Sequence, residues 1–153
     1  MFELVLSEGL RLPLGAGHLT VGMSEREAQD RVATLADVRE GWQCGAGWSF
    51  VARYEGLGLT ISGDVSDRWG VLPDMPGLRG VAVARHTTAP TGPSAVPVVL
   101  DDVDLFGYPE AEILSFFGTK PYPGLWLRPA DPGGNYLREI WFTPEAAPQT
   151  QPP

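Results

Sequence analysis

The fold class is decided by residues 48–61, which read WSFVARYEGLGLTI. In the first half, Trp48, Phe50 and Tyr54 fall on one face of an extended chain, because successive side chains of a strand point to opposite faces. The second half places three aliphatic side chains on one face in the same way. The link between the halves, residues 54–56, has the length of a hairpin turn. The stretch therefore predicts two antiparallel strands.

More strands are predicted on both sides of this hairpin. A turn at 63–67 leads to a candidate strand at 68–72, and residues 78–84 form another after a Pro- and Gly-containing break. Together with the hairpin, these segments predict an antiparallel meander of three or four strands. Shorter strands are predicted over residues 2–6, 98–100, 124–127 and 136–142, the last two around a turn at 131–134.

Two helices are predicted, one in each half of the chain. Ser24 and Glu27 have the spacing of a capping box, and apolar residues follow at helical spacing, which predicts a helix over 24–38. Pro109 suits the first turn of a second helix and Gly118 suits its C-terminal cap, which predicts a short helix over 108–118.

Three blocks of sequence recur in the same order in the two halves. Residues 22–28, 56–59 and 78–81 align with residues 107–113, 124–127 and 137–140. The alternative is that common helix starts and Gly-Leu strands align by chance. The alignment favours an α+β fold of two tandem helix-plus-antiparallel-meander repeats that form one sheet-based domain. Its segments are a first repeat with an N-terminal strand (1–86), a Pro/Thr/Gly-rich linker or loop (87–97), a shorter second repeat (98–144) and a flexible tail (145–153).

The same blocks carry a family resemblance. Gly22-Met23-Ser24, the stretch YEGLGL at 54–59 and the stretch LRGV at 78–81 resemble motifs of the superfamily of β-lactamase inhibitor proteins and small outer-membrane assembly lipoproteins. The resemblance covers about residues 20–85 and recurs in part over 105–143. It implies a helix-plus-sheet repeat whose concave sheet binds another protein without catalysis. Those families are exported and often use paired cysteines, whereas no export signal is expected from this sequence, which contains the single cysteine Cys44.

Composition excludes several classes of function. The 153 residues carry a net charge of −8, which argues against binding to a nucleic-acid backbone. No apolar run approaches the roughly 20 residues that span a bilayer, so no membrane partner is expected. An acidic N-terminal segment and a single cysteine, Cys44, favour a cytoplasmic protein. One lysine against ten arginines, with abundant Gly, Pro and Ala, is typical of a bacterial high-GC coding bias.

Residues suited to catalysis or metal binding are few. The two histidines, His18 and His86, and the single Cys44 show no zinc-site spacing. The acid cluster Asp101-Asp102-Val103-Asp104 lacks the pattern of a calcium loop. Glycine-rich nucleotide loops and a nucleophile elbow are also missing from the sequence. No catalytic residue, metal ligand or cofactor is therefore predicted, and an enzyme that uses scattered carboxylates stays a minor alternative.

Tryptophan is the informative residue type, with five copies in 153 residues. Trp126 alternates with leucines, and Trp141 lies between Ile140 and Phe142. Both faces of each strand are therefore apolar, although a single core layer covers only one of them. Core packing is the alternative for any one of them. The candidate binding residues are, in order, Trp126, Trp141, Trp48, Tyr54 and Trp69.

These observations favour a non-catalytic protein-binding module. It would present an aromatic sheet face ringed by acids, and an inhibitor or immunity-type role is its narrower form. Its partner would be another protein or a second copy of the chain. The alternative is a small-molecule-binding protein with a pocket between the two repeats.

Overall fold

Two β-sheets account for most of the chain in the computed structural model, which describes residues 1–5, 8–41, 47–64 and 77–143. With two α-helices, they make a mixed α+β fold that is mostly sheet, and this confirms the predicted class. The strands are β1 (Phe2–Val5), β2 (Gly9–Arg11), β3 (His18–Leu19), β4 (Val38–Glu40), β5 (Gly47–Tyr54), β6 (Leu57–Asp64), β7 (Gly77–Arg85), β8 (Val98–Leu100), β9 (Val103–Asp104), β10 (Leu125–Arg128) and β11 (Glu139–Phe142).

The larger sheet contains the predicted meander. Its strand order is β10-β11-β7-β6-β5-β4, and every neighbouring pair is antiparallel. Strands β5 and β6 are joined by Glu55 and Gly56, which both have positive φ angles (48° and 86°). Two positive φ angles in a two-residue loop are the signature of a type I′ turn, whose twist matches the twist of the strands.

The smaller sheet pairs the first strand of the chain with a strand from the second half of the sequence. Its order is β3-β2-β1-β8-β9, and β1 pairs with β8 in parallel. Strands β8 and β9 are joined by Asp101 and Asp102, with φ angles of 49° and 65°. The acid cluster is thus largely a tight hairpin turn, a position that tolerates aspartate better than most residue types.

Both helices begin within two residues of their predicted starts. Helix α1 (Glu25–Ala33) is capped by the Ser24 hydroxyl, which accepts a hydrogen bond of 3.2 Å from the Glu27 backbone N–H. The prediction that this helix continues to residue 38 is wrong, because the chain leaves the helix after Ala33 and pairs with β5 as strand β4. Helix α2 (Glu110–Phe117) ends at Gly118, which has a φ of 75°.

One hydrophobic core joins the two sheets. The inner face of the larger sheet supplies alternate residues of its strands, and β1 reaches it through an edge-on contact between Phe2 and Tyr54, with ring centroids 5.8 Å apart. Trp48 is 4% exposed and stacks on Phe50 at 5.9 Å. Helix α1 contributes Ala28 and Val32 to the same core.

The two-repeat organisation is not confirmed. Helix α2 is followed by the hairpin β10–β11, which joins β7, so both predicted halves share one continuous sheet. The aligned residues do not hold equivalent places, however. Leu59 lies opposite Val83, whereas its aligned partner Leu127 lies opposite Ile140, which the alignment equates with Val81. The predicted strand at 68–72 and the tail at 145–153 lie outside the described residues.

Candidate functional site

A pair of tryptophans lies on the outer face of the larger sheet, the face directed away from the core. Trp126 and Trp141 are directly opposite each other on β10 and β11. They remain 44% and 43% exposed. Their neighbours along both strands are buried at 3% or less, and these are Leu125, Leu127, Ile140 and Phe142. Strand alternation therefore fills the core with the neighbours and leaves both indoles outside.

The two indoles are separated by a cleft. Among the ring contacts of the described residues, none joins Trp126 to Trp141. A cavity of about 450 Å³ is lined by both tryptophans together with Arg128 and Thr143. The Lys120 Nζ atom lies 4.5 Å from the centre of the Trp126 ring, which is a cation–π contact. The site therefore combines apolar surface with positive charge.

A channel of small side chains runs along the strands beside Trp141. The outward positions of the two central strands, β7 and β6, are Gly80, Ala82, Ala84, Gly58, Thr60 and Ser62. Part of this channel forms a cavity of about 140 Å³ next to Trp141. On the side of the channel away from Trp141, larger side chains face outward again, and these are Val51 and Arg53 of β5 and Arg39 of β4.

Charged side chains of both signs lie on the outer face in the part of the chain that the structure describes. Four arginines lie on the strands of this face against two acids, and these are Arg39, Arg53, Arg79, Arg128, Asp64 and Glu139. Arg79 pairs with Asp64 and Arg128 pairs with Glu139, each at 3.1 Å. Glu139 lies beside Trp141, and Asp37 and Glu55 line a cavity together with Arg39 and Arg53, so acids accompany the arginines on this side of the sheet and the expected ring of acids stays a prediction.

The β10 edge of the sheet is already covered. The backbone N–H groups of Leu125 and Leu127 point away from β11 and donate to the carbonyls of Tyr122 (3.0 Å) and Thr119 (2.8 Å). A partner strand would need these donors to extend the sheet at this edge. A partner of the tryptophan pair therefore has to approach the outer face itself.

The structure does not bring Trp48 or Tyr54 to this site. Trp48 and Tyr54 lie on the inner face of β5, where Trp48 donates to the Asp64 carbonyl (3.3 Å) and Tyr54 contacts Phe2. Trp69 lies outside the described residues. The site also holds Lys120 and Arg128, which the sequence reasoning missed. For Arg128 a signal was available, since it lies two residues from Trp126 and so shares its face.

Groups suited to catalysis do not converge among the described residues. His18 lies beside Glu8 (Nε2 to Oε2, 3.3 Å) and Arg11 on the smaller sheet. Asp104 accepts hydrogen bonds from the backbone N–H groups of Val98 and Phe106 and so serves the hairpin it belongs to. No group of three or more His, Cys, Asp or Glu residues within the described ranges is arranged to hold a metal ion.

The lengths of the two helices decide whether either could cross a membrane. Neither α1 nor α2, the helices of the described ranges, is long and apolar enough to cross a bilayer.

Comparisons of the chain with protein-family models, with curated proteins and with solved structures find no match. The case for a function therefore depends on the geometry of the outer face.

Proposed function

We propose that this protein is a non-catalytic protein-binding module and that the outer face of its six-stranded sheet is the binding surface. Trp126 and Trp141 are the anchors. The observation that carries the proposal is that two adjacent tryptophans stay more than two-fifths exposed while the strand neighbours of both fill the core.

Tryptophan at such positions is informative because folding does not require it there. A solvent-facing strand position is usually polar, and a large exposed apolar pair marks a surface that another molecule covers. Tryptophan is also among the residues most enriched in the energetic centres of interfaces, since it adds large contact area with only two rotatable side-chain bonds. The cleft between the indoles offers a pocket into which a partner side chain can insert.

An inhibitor or immunity-type protein is the narrower form of this role that we favour. The resemblance to inhibitor proteins supports it, and so does the lack of converging catalytic groups on the described part of the sheet face. Such a protein acts by covering a surface of its target, so it needs shape and charge complementarity and no chemistry of its own.

Small-molecule binding is the second candidate, and one observation favours it. The cleft of about 450 Å³ between Trp126 and Trp141 falls within the range of ligand pockets. It lies between β10 and β11, however, and not between the two predicted repeats. A metabolite that raises the melting temperature of the wild type but not of a Trp126→Ala variant would support this candidate.

The proposal is tested by capture of partners from a lysate of the source organism with three baits. These are the wild type, the Trp126→Ala/Trp141→Ala double variant and a Phe116→Ala control, which removes an exposed aromatic (75% exposed) from helix α2. A stoichiometric partner retained by the wild type and the control, but lost with the double variant, is expected. Equal capture by all three folded baits would refute the proposal.

A further inference from the structure

We propose that His18 is a pH-sensitive switch that exchanges its hydrogen-bond partner between Arg11 and Glu8 on the surface of the smaller sheet. The Nε2 atom of the neutral ring accepts from Arg11, and the Nε2–H of the protonated ring donates to Glu8. The inference is independent of the proposed function, because it concerns β1–β3 and not the strands that carry Trp126 and Trp141.

A row of titratable and charged side chains crosses the smaller sheet at this point. Glu3, Arg11 and His18 lie directly opposite one another on β1, β2 and β3. Directly opposite side chains of neighbouring antiparallel strands lie close together. The Arg11 guanidinium is therefore placed between an acid and an imidazole, and its Nη1 atom is 3.0 Å from Glu3 Oε1. Glu8, just before β2, adds a second carboxylate, 3.7 Å from Arg11 Nη2.

Two contacts meet at the Nε2 atom of His18. The Arg11 Nε–H group donates a hydrogen bond to Nε2 over 3.3 Å, and Glu8 Oε2 also lies 3.3 Å from Nε2. A guanidinium can only donate, and an ionised carboxylate can only accept. Nε2 therefore needs a free lone pair for the Arg11 contact and a hydrogen for the Glu8 contact. One protonation state of the ring cannot make both hydrogen bonds.

The proton on the ring decides between the two partners. Histidine is the side chain that ordinarily changes charge between about pH 5 and 8. The neutral ring can accept from Arg11 only as the tautomer that carries its hydrogen on Nδ1. Protonation puts hydrogen on both nitrogens, so Nε2–H donates to Glu8, while Arg11 is repelled by the new charge and keeps its ion pair with Glu3. Acidification therefore ties Glu8 to β3.

The charged groups around His18 come from three neighbouring parts of the fold. Glu3 belongs to β1, Glu8 and Arg11 belong to β2 and the turn before it, and Arg31 belongs to α1. Arg31 Nη1 donates to the His18 backbone carbonyl at 2.8 Å and so binds the strand and not the ring. It can hold β3 against α1 in both states. The exchange therefore moves side chains and leaves the strands in place.

The exchange is tested by NMR spectroscopy of the nitrogen-15-labelled protein between about pH 5 and 8, the range in which histidine titrates. At the alkaline end we expect the ring nitrogen shifts of His18 to show hydrogen on Nδ1 and none on Nε2. On acidification, the Arg11 Nε–H signal and the Glu8 amide signal should shift with the same midpoint as the ring. Hydrogen on Nε2 at the alkaline end, or an Arg11 signal that does not follow the ring, would overturn the inference.

Two substitutions at exposed positions separate a partner exchange from a histidine that titrates alone. Glu8→Gln removes the acceptor for the protonated ring, so it should lower the midpoint by roughly 0.2–0.7 pH unit, the scale of one exposed charge contact. Arg11→Gln removes the donor to the neutral ring and a neighbouring cation, so it should raise the midpoint by a similar amount. Any other pattern of midpoints would contradict the exchange.

His86→Gln is the matched control, because His86 is the only other histidine of the sequence and is exposed after the end of β7. It should leave the linked shifts of Arg11 and Glu8 unchanged, and their loss would assign them to His86 and refute the role of His18. The Trp126→Ala/Trp141→Ala double variant should retain these shifts as well. Failure of the switch is thus distinguishable from failure of the proposed function, which the capture experiment decides.

Discussion

Replacement of Gly63 by alanine tests how the core is packed beneath the outer face of the larger sheet. Gly63 lies on the inner face of β6, directly opposite Trp48 on β5. A Cβ atom at this position would lie 2.7 Å from Trp48 Cε2 and in still closer conflict with Trp48 Cζ2 and with the backbone carbonyl of Gly77. Real Cβ atoms essentially never approach other heavy atoms within 3.0 Å, so the ring or the backbone has to move.

Neither of these neighbours can yield cheaply. Trp48 is 4% exposed and is held between the sheet and Phe50, on which it stacks. The Gly77 carbonyl belongs to β7, the next strand of the same sheet. Overpacking of a core costs about 1–3 kcal/mol, and with two obstructions we expect Gly63→Ala to lower the free energy of unfolding by roughly 2–3 kcal/mol. For a chain of this length that corresponds to a fall in Tm of about 4–12 °C.

Gly58→Ala on the same strand is the matched control. Gly58 faces outward, and the nearest heavy atom to its added Cβ is the Ala84 carbonyl oxygen at 3.9 Å, an ordinary contact. Because alanine restricts the unfolded chain, this variant should be neutral or more stable by up to about 1 kcal/mol. Urea unfolding of the two variants measures the difference. Equal stabilities would refute the placement of Trp48 in the core, and with it the separation of Trp48 from the outer-face site.

Three further predictions concern local structure. Asp102→Gly should raise the free energy of unfolding by roughly 0.5–1 kcal/mol in urea unfolding, because Asp102 has a φ of 65° in a turn that favours glycine at its second position. Ser24→Ala should lower it by about 1 kcal/mol, since the Ser24 hydroxyl accepts from the Glu27 backbone N–H at the start of α1; an unchanged value would contradict the cap. The hydrogen bond that Tyr122 donates to Asp101 raises the pKa of Tyr122 above its ordinary value of 10.0, so its contribution to stability is present below that pH and is lost as the pH rises through the raised pKa. Tyr122→Phe should remove this alkaline loss in unfolding curves recorded between about pH 8 and 11, and an identical pH dependence in the two proteins would contradict it.

The strands and helix starts were predictable because their signals are local. Alternation over 48–61 predicted β5 and β6, and the capping residue Ser24 predicted the start of α1. The end of α1 was not predictable in this way. The residues after Ala33 can continue a helical pattern, and they leave it because β5 offers backbone partners for Val38–Glu40. Such a choice depends on pairing across the sheet, which a local pattern does not contain.

The candidate site was predicted only in part, because it also depends on how the strands pair. Alternation places Trp126 and Trp141 on the face opposite to Leu125 and Ile140, and the sequence shows that directly. It does not show that the two strands pair with each other in a register that sets one tryptophan against the other. The prediction of Trp48 as a binding residue did not distinguish the core from the surface. The aromatic pattern of 48–54 is the same whether its aromatic face packs in the core or faces solvent.

The contrast between the two faces of the larger sheet links the fold to the proposed function. On the inner face, bulky side chains fill one core shared with the smaller sheet, so the stability of the fold depends on that face. On the outer face, positions 58, 60 and 62 of β6 and 80, 82 and 84 of β7 carry small side chains, while Trp126 and Trp141 stand exposed on β10 and β11. Folding alone would be served as well by scattered polar residues at these outer positions. Under the proposed function the arrangement has a purpose, because it leaves an exposed apolar pair beside a channel of small side chains, and a partner could cover both without disturbing the core.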